Sequence, residues 1–458
     1  MARDTTNQTP VSSIDDLVSY LAEGCKPPEK FRIGTEHEKF AFFREDNSPV
    51  PYDGPRSISA LLNGMHALLG WEPIMDAGKI IGLVEPTGMG AISLEPGGQF
   101  ELSGAPLENI HQTCRESNAH LAQLREVAEP MGIGFLGLGG SPKWTRAETP
   151  RMPKSRYDIM TNYMPKVGSQ GLDMMYRTCT IQVNLDFSSE TDMRRKMQAS
   201  LKLQPLATAL FAFSPFTEGK PNGLLSWRSN IWRDTDKDRT GILPFAFAPD
   251  YGFTDYVEWA LDAPMYFVLR DGKYQDCTHV TFRQFMDGAL KDELPDGMPN
   301  MGDWTNHLST LFPEVRLKQV LEMRGADGGP WRRICALPAL WVGLLYDQTA
   351  LDAAWDVVKD WNIEGREILR ESVPKMGLGA PLPNGRTLGE LAPQILDIAT
   401  AGLSARAKLN GSGDNESGFL DPLREIVASG KTPAERMLES YHGGWDGDVS
   451  HVYEEESF

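Results

Sequence analysis

Residues 31–43 read F-R-I-G-T-E-H-E-K-F-A-F-F, an apolar run that sets Glu36 and Glu38 two positions apart in its middle. Successive side chains on a β-strand alternate faces, so both carboxylates project to the same side, about 6–7 Å apart along it. Like charges held that close on a rigid, half-buried element repel unless something positive lies between them. A hard divalent cation is the simplest such group. The competing reading is the ordinary solvated face of a sheet, and recurrence of the pattern decides between the two.

The pattern does recur. Residues 91–104, A-I-S-L-E-P-G-G-Q-F-E-L-S-G, alternate Ser93, Glu95, Gln99, Glu101 and Ser103 against Ile92, Leu94, Phe100 and Leu102. Residues 178–187 set Thr178, Thr180, Gln182, Asn184 and Asp186 against Cys179, Ile181, Val183, Leu185 and Phe187. Residues 315–324, V-R-L-K-Q-V-L-E-M-R, carry Glu322 and Arg324 on one face and Leu317, Leu321 and Met323 on the other. Period-2 alternation of this kind marks half-buried strands. The polar faces of the first three segments hold Glu, Gln, Asn, Thr and Ser without lysine, which an ordinary solvent face would include. A sheet face so rich in carboxylates needs metal ions to offset its own repulsion.

The chain has 458 residues and a formal net charge of −18, a balance opposite to the basic surface that a nucleic-acid partner demands. The most apolar stretch, 334–346, contains Pro338 and is shorter than the ~20 residues that span a bilayer, so no membrane is expected as a partner. The opening M-A-R-D-T-T-N-Q-T-P has no apolar signal core, and its early Asp4 is foreign to an Arg-rich transit peptide. A cytoplasmic protein is the expectation. Cys25, Cys114, Cys179, Cys277 and Cys335 are odd in number and show no C-x-x-C spacing, a pattern of reduced thiols more than of a disulfide framework or zinc site. Cys179 and Cys335 read as small buried hydrophobes.

A first helix is expected from Ser12 or Ser13, with Ile14, Leu17, Val18 and Leu21 on one stripe. Others are expected after Pro106, over 190–203, and over 336–357. Strands and helices alternate irregularly, which predicts an α+β protein with an antiparallel sheet flanked by helices. Residues 372–388, rich in Pro and Gly, read as a linker or long excursion, and the chain beyond reads as helical with a loop at 410–418.

Three motifs are rejected. Gly132, Gly134 and Gly137 spell G-x-G-x-x-G but follow a helix instead of opening one, so 132–140 is read as a buried glycine-rich strand. D-T-D-K-D-R from Asp234 has Arg239 where a calcium loop needs Gly and Phe245 where it needs Glu. His37 lies on the face opposite Glu36 and Glu38 and belongs to no H-E-x-x-H, so it is read as a packing residue.

The segments G-T-E-H-E-K-F, E-P-G-G-Q-F-E-L-S-G and L-E-M-R-G-A-D-G-G-P-W-R-R together resemble glutamate–cysteine ligases of the plant and proteobacterial type. The resemblance continues through M-P-K-S-R-Y-D-I-M-T-N-Y-M-P-K at 152–166, T-C-T-I-Q-V-N-L-D-F-S-S-E at 178–190, S-P-F-T-E-G-K-P-N-G at 214–223, D-T-D-K-D-R-T-G at 234–241 and the terminal T-P-A-E-R-M-L-E-S-Y. It covers nearly the whole chain. It implies a glutamine-synthetase-like catalytic domain over 1–458, with a curved, mainly antiparallel sheet whose concave face holds Mg²⁺ and ATP, and a helical C-terminal part from about 388.

The resemblance also implies a chemistry: ATP phosphorylates the γ-carboxylate of L-glutamate, and the amine of L-cysteine then displaces phosphate. Transfer of a phosphoryl group between anions is limited by charge, which metal ions and arginines neutralise. By that likeness Glu36, Glu38, Glu95, Glu101 and Glu322 are the expected Mg²⁺ ligands, with Gln182 and Asn184 as polar companions that help bind substrate. Glu95 precedes Pro96 and is the ligand most open to displacement from the sheet face. Arg324 is placed to meet the transferring phosphate, beside Glu322, and Arg156 and Arg228 resemble the arginines that hold substrate carboxylates. On the residues alone, Arg156 has Asp158 as a rival partner, and Arg228 can cap a loop. Plant members carry regulatory disulfides; these five cysteines show no recognisable pair. The missing transit peptide points to a bacterial, cytoplasmic member. A ligase using a different amine, or a catalytically silent nucleotide or metal sensor, remains open at this level.

Overall fold

The protein is described from a computed structural model over residues 4–294 and 297–458. Its centre is a nine-stranded sheet of β1 (Ile33–Phe43), β2 (Glu72–Asp76), β3 (Lys79–Val84), β4 (Ala91–Leu94), β5 (Phe100–Ser103), β6 (Ile133–Leu136), β7 (Thr180–Leu185), β8 (Val315–Leu317) and β9 (Leu321–Asp327). The order is β8-β9-β7-β1-β5-β4-β3-β2, with β6 paired to the far half of β1, and every pairing is antiparallel. The α+β expectation holds.

Two stretches that read as single strands are hairpins. Residues 91–104 turn back at 95–99, and 315–324 turn back at Lys318–Val320, where the Lys318 N–H donates to the Val320 carbonyl at 2.8 Å. The alternation nonetheless assigns the faces correctly, for a geometric reason. In an antiparallel pair the partner numbers have a constant sum, here even: Ser93 faces Glu101 and Arg316 faces Glu322. Even-numbered residues therefore stay on one face, and odd-numbered ones on the other, through the turn.

The apolar face of the sheet is covered by helices. Ile181, Val183, Leu185, Leu321 and Met323 pack on the helices Glu190–Leu210 and Trp331–Leu345 in the main core, while Ile92, Leu94, Phe100 and Leu102 meet the helix Ile58–Leu69 and Leu124 of the helix Ile110–Ala128. The first helix spans Ile14–Ala22, and its Asp16 carboxylate accepts from the Ser13 N–H at 2.9 Å. Asn109 caps the helix Ile110–Ala128 through the Gln112 N–H at 2.9 Å. The helix starting at Glu190 runs to Leu210, past its expected end and through Pro205, because residues 196–210 are buried throughout and burial outweighs the local proline cost. The expected helix over 336–357 is two, Trp331–Leu345 and Gln348–Val358, bent by 91°, with Asp347 capping the second through the Ala350 N–H. Among the described residues no single helix is long and apolar enough to cross a membrane.

Residues 372–388 are not a linker. Ser372–Met376 finish the helix Ile363–Met376, whose Pro374 carbonyl accepts from the N–H groups of Leu225 and Ser226, and Thr387 caps the helix Leu388–Arg406. Residues 132–140 contain the buried strand β6 as expected. The D-T-D-K-D-R loop holds a structural ion pair: the Arg239 Nε lies 2.6 Å from Asp236 Oδ2, both side chains are fully buried, and the Arg239 Nη2 donates to the Pro264 carbonyl.

The expectation that all thiols are reduced is overturned at one place. Cys114 and Cys335 form a disulfide with a Cα–Cα separation of 5.6 Å, joining the helices Ile110–Ala128 and Trp331–Leu345. Residues 221 positions apart carry no local spacing signal; only the packing of those helices makes them neighbours. Cys25, Cys179 and Cys277 are free. Denatured protein alkylated without reductant should therefore show three modified cysteines by mass spectrometry, and five after reduction. Closing so long a loop also predicts a lower melting temperature for Cys114→Ser, by an amount corresponding to about 2–4 kcal/mol.

Candidate active site

The polar face of β1, β5, β7 and β9 floors a hollow of about 910 Å³ when the open solvent at its mouth is included. Glu36, Glu38, Glu95, Glu101, Gln182, Arg156, Arg228 and Arg324 all line it, so residues spread over nearly 300 positions converge on one hollow. Asn184 and Glu322 sit just behind the lining.

The register explains the crowding. Glu38 lies directly opposite Glu101 across β1 and β5, and Glu36 lies opposite Gln182 across β1 and β7. Like charges facing each other on neighbouring strands are destabilising. Burial, then the neighbouring charges of Glu95 and Glu101, push the Glu38 carboxyl well above the usual range, despite the Thr180 N–H that donates to it at 2.9 Å. Burial, then Glu36, push Glu101 up to about 7, although Ser93 donates to it. Glu36 is held by the Asn184 Nδ2 at 2.9 Å. Glu95 lies in the turn after β4, outside the strand, yet still faces the hollow. Behind the floor, His37 packs as expected: its Nδ1 stands 3.1 Å from Lys39 Nζ, both side chains buried.

Among the described residues, no three His, Cys, Asp or Glu groups stand close enough together to hold a metal ion unaided. Glu322 in particular is already engaged. Its carboxylate receives Arg316 in a two-pronged grip at 2.8 and 2.9 Å, Lys318 at 2.8 Å and Arg324 at 2.5 Å, and it is wholly buried. Burial pushes its carboxyl up, but those cations together hold it well below the usual range. A metal could bind Glu322 only by displacing one of them. As it stands, Glu322 orients Arg324, whose Nη1 also donates to Gln182 Oε1 at 2.5 Å. A register shift between Met323 and Ala326 falls at Arg324 within β9, a device that re-aims side chains beside sites.

Arg156 opens the helix Arg156–Val167 and pairs with Asp4, at 2.7 Å, instead of Asp158. Arg228 caps no loop. It is buried, donates from Nη2 to the Arg324 carbonyl at 3.0 Å, and keeps Nη1 without a partner, an orphaned donor that suits an anionic ligand. Arg316 and Lys318, which set the state of Glu322, are not among the residues that the sequence patterns single out. For Arg316 the signal was present, since it shares the even-numbered face of 315–324. Phe267, Phe312 and Trp232, which wall the hollow, gave no such signal, because they come from loops and short elements outside the sheet.

Residues 32–455 match the family model described as glutamate-cysteine ligase family 2. The chain is 58% identical over 440 residues to a chloroplastic glutamate–cysteine ligase of Medicago truncatula, covering 96% of this chain and 84% of the relative. It is 59% identical over 441 residues to the corresponding chloroplastic enzyme of Arabidopsis thaliana, covering 96% and 82%. The crystal structure of glutamate–cysteine ligase from Francisella tularensis in complex with AMP superposes with a TM-score of 0.54 at 14% identity, covering 93% of this chain and 88% of that one, which shows a shared fold. The cytoplasmic location expected from the opening residues is not upheld by these names: the close relatives are named as chloroplastic enzymes. Taken with the carboxylate floor and its three arginines, the match over almost the entire length places this chain in glutamate–cysteine ligase family 2, a family of ligase enzymes.

Proposed function

We propose that the chain acts over its whole length as one catalytic unit, which joins the γ-carboxylate of L-glutamate to the amine of L-cysteine at the cost of ATP. The observation that carries this reading is the convergence of Glu36, Glu38, Glu95 and Glu101 with Arg156, Arg228 and Arg324 on one hollow. Nucleotide use is supported by the AMP complex of the Francisella relative. In the first step an oxygen of the glutamate γ-carboxylate attacks the γ-phosphorus of ATP and ADP leaves. In the second, the cysteine nitrogen attacks the γ-carbonyl carbon of the acyl phosphate, the carbon–oxygen bond breaks, and phosphate departs as the amine loses a proton.

Arg324 is aimed by Glu322 and Gln182 at the hollow, where a planar guanidinium can take up charge spread over phosphoryl oxygens. Arg228, with its spare Nη1, and Arg156 are suited to substrate carboxylates. The mutual repulsion of the floor and its all-oxygen donor set fit Mg²⁺. No ready-made cage exists among the described residues, which agrees with the habit of Mg²⁺ to take one or two carboxylates and complete its shell with phosphate oxygens and water. Glu36, Glu38, Glu95 and Glu101 are the residues that would hold it, Glu322 joining them if it releases a cation. Held there, such an ion would neutralise phosphate charge.

Purified protein given Mg²⁺, ATP, glutamate and cysteine should release phosphate and yield γ-glutamylcysteine by mass; turnover no greater with cysteine than with alanine would refute the acceptor assignment. Arg324→Ala should lower kcat by a factor of about 10²–10³ while Mg·ATP binding stays within severalfold, and equal losses in both would argue against a transition-state role. Protons compete with the metal for the raised carboxyls. As pH falls below about 7, where Glu101 takes up its proton, the Mg²⁺ concentration giving half-maximal activity should rise at least tenfold per pH unit.

Without metal, the same groups weaken the fold. The carboxyl of Glu101 titrates higher in the folded chain than in the unfolded one, so its penalty is complete above pH 7 and relieved on acidification. Metal-free Glu101→Gln should consequently be inactive yet more stable than the parent at pH 8, by about 2 kcal/mol in denaturant titration.

A further inference from the structure

Arg156 reaches the hollow from the first turn of its helix, and one edge of its guanidinium is already taken. Asp4 Oδ1 lies 2.7 Å from Arg156 Nη1, with side-chain exposures of 10% and 14% respectively. The second Asp4 oxygen accepts from the Tyr274 hydroxyl, so the carboxylate is itself held from two sides. Arg156 also packs against the rings of Tyr157 and Phe267. Its Nε is buried and without a partner. Asp4 is not part of the lining of the hollow, whereas Arg156 is. The aspartate thus grips the guanidinium at Nη1 and leaves donors uncommitted.

The segment bearing Asp4 is docked, residue by residue, on the helix Met301–Ser309. The Thr5 N–H donates to Asn306 Oδ1 at 3.0 Å, and the Asn306 Nδ2 returns a bond to the Thr5 carbonyl at 3.1 Å. The Gly302 and Met301 N–H groups donate to the carbonyls of Asn7 and Thr9, both at 2.8 Å. A Cβ at position 302 would stand 3.0 Å from the backbone of Asn7 and Thr5, so the close approach depends on glycine. Ser309 at the end of the same helix lines the hollow. The segment is therefore built onto a wall of the site.

We propose that Asp4 is a positioning residue for the substrate: by fixing Arg156 from outside the hollow, it presents the free edge of the guanidinium to the carboxylate of the incoming amino acid. A guanidinium has five donors in a rigid fork, and a carboxylate needs only two of them in one plane. Holding the fork in advance removes the rotamer entropy that binding would otherwise cost. Burial pushes the Asp4 carboxyl up, but Arg156 and Lys154 more than offset it and keep the group ionised. This role rests on the reading of Arg156 as a glutamate-binding arginine.

The test is steady-state kinetics of the full chain with Asp4→Asn, Asp4→Glu, Arg156→Lys and the Asp4→Asn/Arg156→Lys double variant, each checked by its melting temperature. Because the interaction is made equally in ground and transition states, Asp4→Asn should raise the glutamate KM about tenfold with kcat and the ATP KM unchanged within twofold. Asp4→Glu should recover most of the loss, and Asp4→Asn should add nothing once Arg156 is lysine. An unchanged glutamate KM in Asp4→Asn overturns the proposal. So does a lowered one, which would make Asp4 a competitor for the site, and so does a fall in kcat and melting temperature together, which would make the contact merely structural. If Arg156→Lys leaves the glutamate KM untouched, the substrate role of Arg156 falls first and takes that of Asp4 with it.

Discussion

Two carboxylates face each other across β1 and β5, and much of the site is a response to that one pairing. Glu38, half-buried, and Glu101, buried, occupy directly opposed positions on the sheet, where Thr, Val or an oppositely charged pair would be the ordinary choice. Among the described residues no ion pair joins either of them to a cation. Hydrogen bonds from the Thr180 N–H and the Ser93 hydroxyl reduce the strain but leave both carboxyls raised. The repulsion is tolerated because a large apolar core lies beneath the same strands. Stability sacrificed at a site and supplied elsewhere is the usual signature of function.

The opposite side of the hollow reverses the sign. Around Glu322 three cations crowd a single buried carboxylate, and Arg324 emerges from that cluster with one guanidinium nitrogen bound to Glu322 and Gln182. Arg228 leans on the Arg324 carbonyl from the helix Trp227–Ile231, and Arg156 is secured by Asp4 from outside. An acidic floor on β1 and β5 thus meets a basic wall on β9 and the flanking helices. Transfer of a phosphoryl group onto a carboxylate needs both: oxygen donors for a divalent ion and fixed positive charge for the oxygens in flight. In the proposed reaction, arginines anchored by groups that are themselves held would need little reorganisation.

Several features were legible in the chain because they are local. The period of 2 identified the polar faces, and the parity rule of antiparallel hairpins preserved those faces even where two strands were read as one. The helix start at Ser13 and the burial of the glycine-rich strand β6 follow from residues within a few positions of each other. Errors arose where local signals met tertiary demand. Pro205 does not stop a helix buried on every side from Lys196 to Leu210, and Pro374 sits inside the last turn of the helix Ile363–Met376, where its carbonyl accepts from two distant N–H groups.

Acting alone, the order of residues determined which side chains share a face, that the exposed chemistry is acidic, and to which family the motifs belong, since alternation and motif spacing are properties of neighbouring positions. Only the tertiary structure decided who meets whom: Glu38 against Glu101, Glu322 inside a cage of Arg316, Lys318 and Arg324, Asp4 on Arg156, Cys114 bonded to Cys335. Those contacts join positions from a handful to more than 200 apart. Their energies come from burial and from charges brought within a few ångströms, neither of which exists until the sheet has closed over its core.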